Sequence, residues 1–411
     1  MIQYTKQVLS NGLKVIHHHD TTTPFTMVNI LYNVGAKHED AHLTGFAHLF
    51  EHLMFGGTKS FPNFDHPIQQ AGGSNNAFTN NDYTNYYDFL PKQNVEIGLC
   101  LEANRMHQLD INERSLSVQQ KVVIEEFKEN YLNQPYGNAW HLLRPMVYEK
   151  HSYSWPTIGK NIEQIENAKL IDVQQFYKDF YQPNNAIVVL GGNIEATNAF
   201  DLAEKWFGNI ASNKIRNVSI QNETEQTEAK TLTVHEAVPL NAIYLAFRMP
   251  ERKNKLYYVA DIITDILSTG SASRLVQQLV KIEKAFVSID AYISGSIDEG
   301  MFVIQGKVAN DYDVNKAYDL IWKEIEKLQQ HLIETEELNK IKNKLLTHIN
   351  FSDYSLMNRV ISLAFSELID DIDLVNKETE IYHNITPEDI QNYATQFLTK
   401  AKSNTLYYLK K

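Results

Sequence analysis

Phe64-Asp-His-Pro-Ile-Gln-Gln-Ala71-Gly72-Gly73-Ser74-Asn-Asn-Ala-Phe-Thr-Asn80-Asn-Asp82-Tyr-Thr-Asn-Tyr-Tyr-Asp-Phe-Leu90 carries the plan of the chain. Its first eight residues have helical spacing and stop at a Gly-Gly pair, where a helix loses propensity. Two β-rich runs follow, broken by the polar turn Asn80-Asn81-Asp82, which reads as a hairpin. The order helix, glycine, strand, turn, strand returns at Ser273–Val308, with Ser294-Gly-Ser-Ile-Asp298 as the turn. A second echo runs in the same order. Val173, Phe176, Phe180 and Tyr181, followed by the strand Ile187–Leu190, match Ile390, Tyr393, Phe397 and Leu398, followed by Leu406–Leu409. Two echoes in one order point to an α+β fold made of two homologous halves.

The polar, aperiodic stretch between the halves reads as a linker. The expected organisation is an N-terminal domain over 1–212, a linker over 213–230 and a C-terminal domain over 231–411, a division that suits 411 residues. Ahead of the first echo, Asn11-Gly12 sits between alternating runs and predicts a hairpin. Met27–Val34 reads as a strand, and Val95–Leu109 and Ser115 to about Asn130 as helices. Residues 134–159, rich in Pro and Tyr, read as loop.

Composition narrows the function. A formal charge of −12 argues against nucleic acid or an anionic membrane surface as partner. No apolar run approaches the roughly 20 residues of a membrane span. Met1-Ile-Gln-Tyr-Thr-Lys-Gln7 lacks the apolar core of a secretory signal, so a cytoplasmic location is expected, although a trimmed periplasmic form would read the same. Cys100 is the single cysteine, so any metal must be held by His and carboxylate.

Such a set is present. In Gly45-Phe-Ala-His48-Leu-Phe-Glu51-His52-Leu-Met-Phe-Gly56-Gly57, His48 and His52 are four residues apart, with Glu51 three after His48. On a helix all three project from one side. Two imidazoles so spaced can grip one Zn²⁺, and the carboxylate between them is placed to take a proton from water. His17-His18-His19 carries no such signal, because successive strand residues point to opposite faces.

A catalytic zinc site needs a third protein ligand and one open position. The helix around Val122-Val-Ile-Glu125-Glu126-Phe-Lys-Glu129 offers three carboxylates. At about 100° per residue, Leu116, Val123 and Phe127 form the apolar stripe. Glu126 falls roughly 80° from the stripe's centre, Glu129 about 140°, and Glu125 opposite it. The carboxylate beside the buried face is the one that reaches an interior ion, which selects Glu126.

H-x-x-E-H, then V-x-x-x-E on a helix some seventy residues on, with G-G-S-N-N-A-F-T-x-x-x-x-T-N-Y-Y between, resembles the insulinase/pitrilysin (inverzincin) family of zinc peptidases. The likeness is to its small bacterial, mitochondrial-processing-peptidase-like members. It is dense over residues 7–192 and weaker beyond. The resemblance implies His48, His52 and Glu126 as ligands of one zinc, Glu51 as general base, and Asn76-Ala77-Phe78-Thr79 as the edge strand that pairs with a peptide substrate. Seven residues before the third ligand the family often has a second glutamate, and here stands Gln119, which cannot titrate.

In many members the second half carries an Arg and, seven residues later, a Tyr that polarise the scissile carbonyl. The corresponding positions in Leu279-Val280-Lys-Ile-Glu-Lys-Ala-Phe-Val287-Ser288 are Val280 and Val287, and neither side chain can donate a hydrogen bond. Arg274 reads as structural. The implied assembly is a heterodimer in which a paralogous subunit supplies the Arg/Tyr pair, with a homodimer as the alternative. The expected activity is zinc-dependent endopeptidase cleavage of peptides or unfolded segments. Its rivals are a non-catalytic core or scaffold subunit that keeps the metal motif, and a structural zinc, which would want a fourth protein ligand.

Overall fold

The computed structural model describes residues 1–411. The chain divides into two compact units, one comprising 1–128, 155–221 and 351–376, the other 129–154, 222–350 and 377–411. The first unit contains strands β1 (Thr5–Val8), β2 (Lys14–His19) and β3 (Phe25–Tyr32), then helix α1 (Phe46–Met54) and helix α2 (Asp65–Gln70). It continues with β4 (Ser74–Thr79), β5 (Thr84–Pro91), α3 (Val95–Gln108), α4 (Glu113–Phe127) and, further on, β6 (Ala186–Gly192). The strands form one sheet in the order β1-β2-β6-β3-β5-β4. The second unit holds β7 (Lys230–Glu236), β8 (Ala242–Arg248), β9 (Phe286–Ser294), β10 (Met301–Val308) and β11 (Asn404–Lys410), in the order β7-β11-β8-β10-β9.

The two sheets repeat one topology. In the first, β2 runs parallel to β6, while β6–β3, β3–β5 and β5–β4 are antiparallel. In the second, β7 runs parallel to β11, while β11–β8, β8–β10 and β10–β9 are antiparallel. Thus β9 is the counterpart of β4, and each ends its sheet. The duplicated α+β plan read from the echoes is the plan of the fold.

Local chemistry explains the elements. Gly12 takes φ +88° in the turn between β1 and β2, and Asn11 bonds back to the Leu13 amide. The buried side chains of α4 are Leu116, Val123 and Phe127, the stripe expected from its spacing. Residues 213–229 of the expected linker have no regular secondary structure, and Lys230 opens β7.

Two segments depart from a simple cut between the halves. Residues 351–376 belong to the first unit, where the helix Leu356–Leu368 lays Leu356, Val360, Leu363 and Ala364 on Ile16, Met27, Leu31, Ile187 and Val189. Gly191 admits this helix: a Cβ there would sit 2.2 Å from Cγ2 of Val360. Arg359 fixes it laterally, donating to His18 and pairing with Asp20. Conversely, residues 139–147 of the second unit, expected as loop, form a helix despite Pro145. Its Ala139, Leu143 and Val147 pack with Tyr244, Val303, Leu406 and Tyr408 on the second sheet, and that burial outweighs the proline.

Candidate metal centre

Helix α1 buries Phe46, Ala47, Leu49, Phe50, Leu53 and Met54, which leaves His48, Glu51 and His52 on its remaining face. Helix α4 packs beside α1 and presents Glu126 from the edge of its apolar stripe. Oε2 of Glu126 lies 3.4 Å from Nε2 of His52 and 3.7 Å from Nε2 of His48. The imidazoles stand edge to face, their centroids 4.8 Å apart.

Zn–N and Zn–O bonds of 2.0–2.1 Å in a tetrahedron place neighbouring donors about 3.4 Å apart. The two Glu126–histidine separations are close to that spacing, all three donor atoms lie within 4.8 Å of one another, and imidazole and carboxylate are donors that zinc accepts. Burial drives the His48 imidazole down to about 4, so it stays neutral and keeps a lone pair for a metal. His52 beside Glu126 holds that carboxyl below its ordinary range, so it is an anion. Glu51 moves the other way, because burial raises it. A carboxylate raised in this way is a better proton acceptor.

The other carboxylates of α4 and its continuation are elsewhere. Glu125 is exposed and pairs with Lys128 at 2.7 Å, and Glu129 is exposed at the start of the second unit. Gln119 is half-buried on α4. Asn76, Ala77, Phe78 and Thr79 lie in β4, the last strand of its sheet, and all four are partly accessible or exposed. Asn80 N–H donates to the Tyr83 carbonyl, so Thr79 and Thr84 form a non-hydrogen-bonded pair and the amides of Ala77 and Thr79 point away from β5.

In the second unit Val280 is half-buried, and Val287 on β9 is 58% exposed. Arg274 is committed to Glu337, with two hydrogen bonds of 3.0 and 2.6 Å. The histidine run is committed too. His17 and His19 both bond the Ile194 carbonyl, while His18 bonds the Gln3 carbonyl.

Two residues that the sequence reading passed over adjoin the site. Glu39 and Trp155 are buried against the start of α1, and the Glu39 carboxylate accepts hydrogen bonds from the amides of Gly45 and Ala47. One signal was available: α1 begins at Gly45, which has no side chain to cap the first amides, so an acceptor from elsewhere was required.

Residues 14–157 match "Insulinase (Peptidase family M16)", and residues 168–345 match "Peptidase M16 inactive domain". The zinc protease PqqE of Helicobacter pylori is 28% identical over 97% of this chain and 91% of its own length. A probable mitochondrial-processing peptidase subunit beta of Arabidopsis thaliana is 21% identical over 83% of this chain and 67% of its own. The crystal structure of a protease from Helicobacter pylori superposes with a TM-score of 0.93 at 26% identity, covering 99% of this chain and all of that one. With the metal motif inside one matched region and strands β7 to β10 of the duplicated half inside the other, the chain belongs to the insulinase family, peptidase family M16.

Proposed function

We propose that this chain is the catalytic subunit of a zinc-dependent endopeptidase acting on peptides or unfolded polypeptide segments. The observation that carries the reading is the convergence of His48, His52 and Glu126, whose donor atoms all lie within 4.8 Å of one another, with Glu51 one helical turn away from His48. That several relatives are named zinc proteases supports the same class. His48, His52 and Glu126 would hold the ion, which supplies Lewis acidity to a peptide carbonyl and to water. Glu51 takes the proton released as water attacks the carbonyl carbon and returns it to the leaving amine nitrogen. An extended substrate pairs with the outward edge of β4 at Ala77, the Thr79 amide being bonded to Glu51, and this fixes its backbone before the bond is cut.

The valines at 280 and 287 leave the second half without a donor for the developing oxyanion. A paralogous subunit carrying an Arg/Tyr pair would supply it, in keeping with the resemblance to a protein named as a subunit beta. The metal triad counts against a scaffold role, which has no use for it. A set of three protein donors counts against structural zinc, which takes four.

The test is hydrolysis of a quenched extended peptide by the chain alone and mixed with a paralogue from the same genome. Zinc-dependent cleavage that is lost to chelator and restored by zinc is expected, and it should be strongest in the mixture. Stoichiometric zinc without cleavage in either arm overturns the catalytic reading. Equal rates in both arms overturn the heterodimer.

A further inference from the structure

We infer that Glu39 is a positioning residue for the metal centre: its buried carboxylate clamps the start of the zinc helix to the turn of the β4–β5 hairpin. The inference rests on the proposed metal site and says how that site is held against the strand that would receive substrate.

Gly45 precedes α1 with φ +86°, and its Cβ position is filled by the Ile158 carbonyl at 2.7 Å, so no side chain can cap the helix from there. Glu39 reaches in from six residues upstream. Its Oε2 accepts from the Gly45 amide at 2.9 Å and from Nε1 of Trp155 at 3.0 Å. Its Oε1 accepts from the Ala47 amide at 2.8 Å. Each carboxylate oxygen thus has an N–H donor, and His48 follows directly on the residue bonded to Oε1. Trp155 also donates to the Ala36 carbonyl at 3.1 Å, which ties the same indole to the segment carrying Glu39.

The other end of that segment grips the hairpin. Ala36 N–H donates to the Asn80 carbonyl at 3.1 Å, and Lys37 N–H to the Asn81 carbonyl at 2.8 Å. The Lys37 ammonium pairs with Asp82 at 2.9 Å, and both side chains are buried. Four consecutive residues, 36–39, therefore join the turn that follows β4 to the first turn of α1. Burial pushes the Glu39 carboxyl up to about 8, while the donors from Ala47, Gly45 and Trp155 pull it back toward the anion, the form in which both oxygens accept. An amide at position 39 would oppose an NH₂ group to one of the N–H donors, so the clamp needs a carboxylate.

A structural cap and a positioning residue differ in what they change. Loss of a cap lowers the melting point and leaves metal affinity alone. Loss of a positioning contact behind a ligand lowers metal affinity, by about 10- to 100-fold for outer-shell partners. The experiment compares Glu39→Gln and Trp155→Phe with the wild-type chain. It measures zinc affinity by chelator competition, hydrogen exchange at the Gly45 and Ala47 amides, thermal melting, and kcat and KM at saturating zinc.

We expect Glu39→Gln to stay folded, to bind zinc at least about tenfold more weakly, to exchange its Gly45 and Ala47 amides faster, and to lose kcat with KM little changed. Trp155→Phe should shift in the same direction by less. A lower melting point with unchanged zinc affinity and unchanged kcat overturns the inference and leaves a cap only. If Glu39→Gln does not fold, Trp155→Phe decides, and wild-type zinc affinity there overturns it. A wild-type chain that binds zinc but cleaves nothing removes the proposed function while the affinity comparison still tests Glu39. A wild-type chain that takes up no zinc overturns both.

Discussion

Oε2 of Glu126 stands 3.4 Å from Nε2 of His52, although 73 residues separate the two in sequence. A carboxylate and an imidazole brought together over that distance are donors of the kind that could hold a metal ion. His52→Ala and Glu126→Ala should each lose bound zinc, measured by metal analysis after gel filtration. Glu125→Ala, one residue away and paired with Lys128, should keep it. Retention of stoichiometric zinc by Glu126→Ala would remove that residue from the ligand set.

Glu51 has a separate role and a separate signature. It lies on the same face of α1 as the histidines, and the three-ligand set is complete without it. Glu51→Gln should therefore keep its zinc while hydrolysis falls by about 10²- to 10⁴-fold, the usual contribution of a general base. The check is metal content and turnover on one preparation. Turnover close to wild type would show that another group takes the proton.

Much of this was legible because the motifs sit on elements with strong local signals. His48, Glu51 and His52 share one amphipathic helix, and Glu126 could be told from Glu125 by the stripe of Leu116, Val123 and Phe127. At α1 the sequence shows only that Gly45 needs an outside acceptor; that Glu39 supplies it was not legible, because it is a loop residue whose partners are backbone amides and a distant indole. The helix Leu356–Leu368 shows an apolar face in sequence, yet nothing local says that the face covers the first sheet and not the second. Glu102 and Arg105, three apart on α3, look like an ordinary solvated pair, and burial against Asp88, Tyr86 and Phe64 emerges only from tertiary packing.

That buried group makes a pH-dependent prediction. Arg105 Nε donates to Glu102 at 2.8 Å, and both side chains are essentially inaccessible. Asp88 lies beside them, and burial, with the Glu102 charge next in weight, pushes its carboxyl well above the ordinary range. A folded-state value above the unfolded one means that Asp88 contributes stability in its protonated form. The contribution is full below the unfolded value near 4 and is lost as pH rises toward the folded value. Asp88→Asn should flatten that part of the wild-type decline in urea midpoint between pH 5 and 9. Glu102→Gln, which leaves the buried Arg105 without its counter-ion, should cost about 3–5 kcal/mol at every pH in that range. Parallel wild-type and Asp88→Asn profiles would show that Asp88 is ionised in the folded chain.

The edge strand is tested most cleanly at Ala77. Its amide points away from β5, so a proline there removes a group that the β4–β5 pairing does not use. At present that amide is satisfied by the Asn76 side chain at 2.8 Å, a local bond that an incoming peptide carbonyl would replace. Ala77→Pro should leave zinc content unchanged and lower thermal stability only slightly. It should raise KM by about tenfold, since one net hydrogen bond to an extended substrate is worth roughly 1 kcal/mol and the ring adds a steric term. The same change at Phe78, whose amide faces β5, would break the hairpin and lower the melting point instead. If Ala77→Pro cleaved peptides with wild-type KM, substrate would not be pairing along β4, and the strand would serve only to close its sheet.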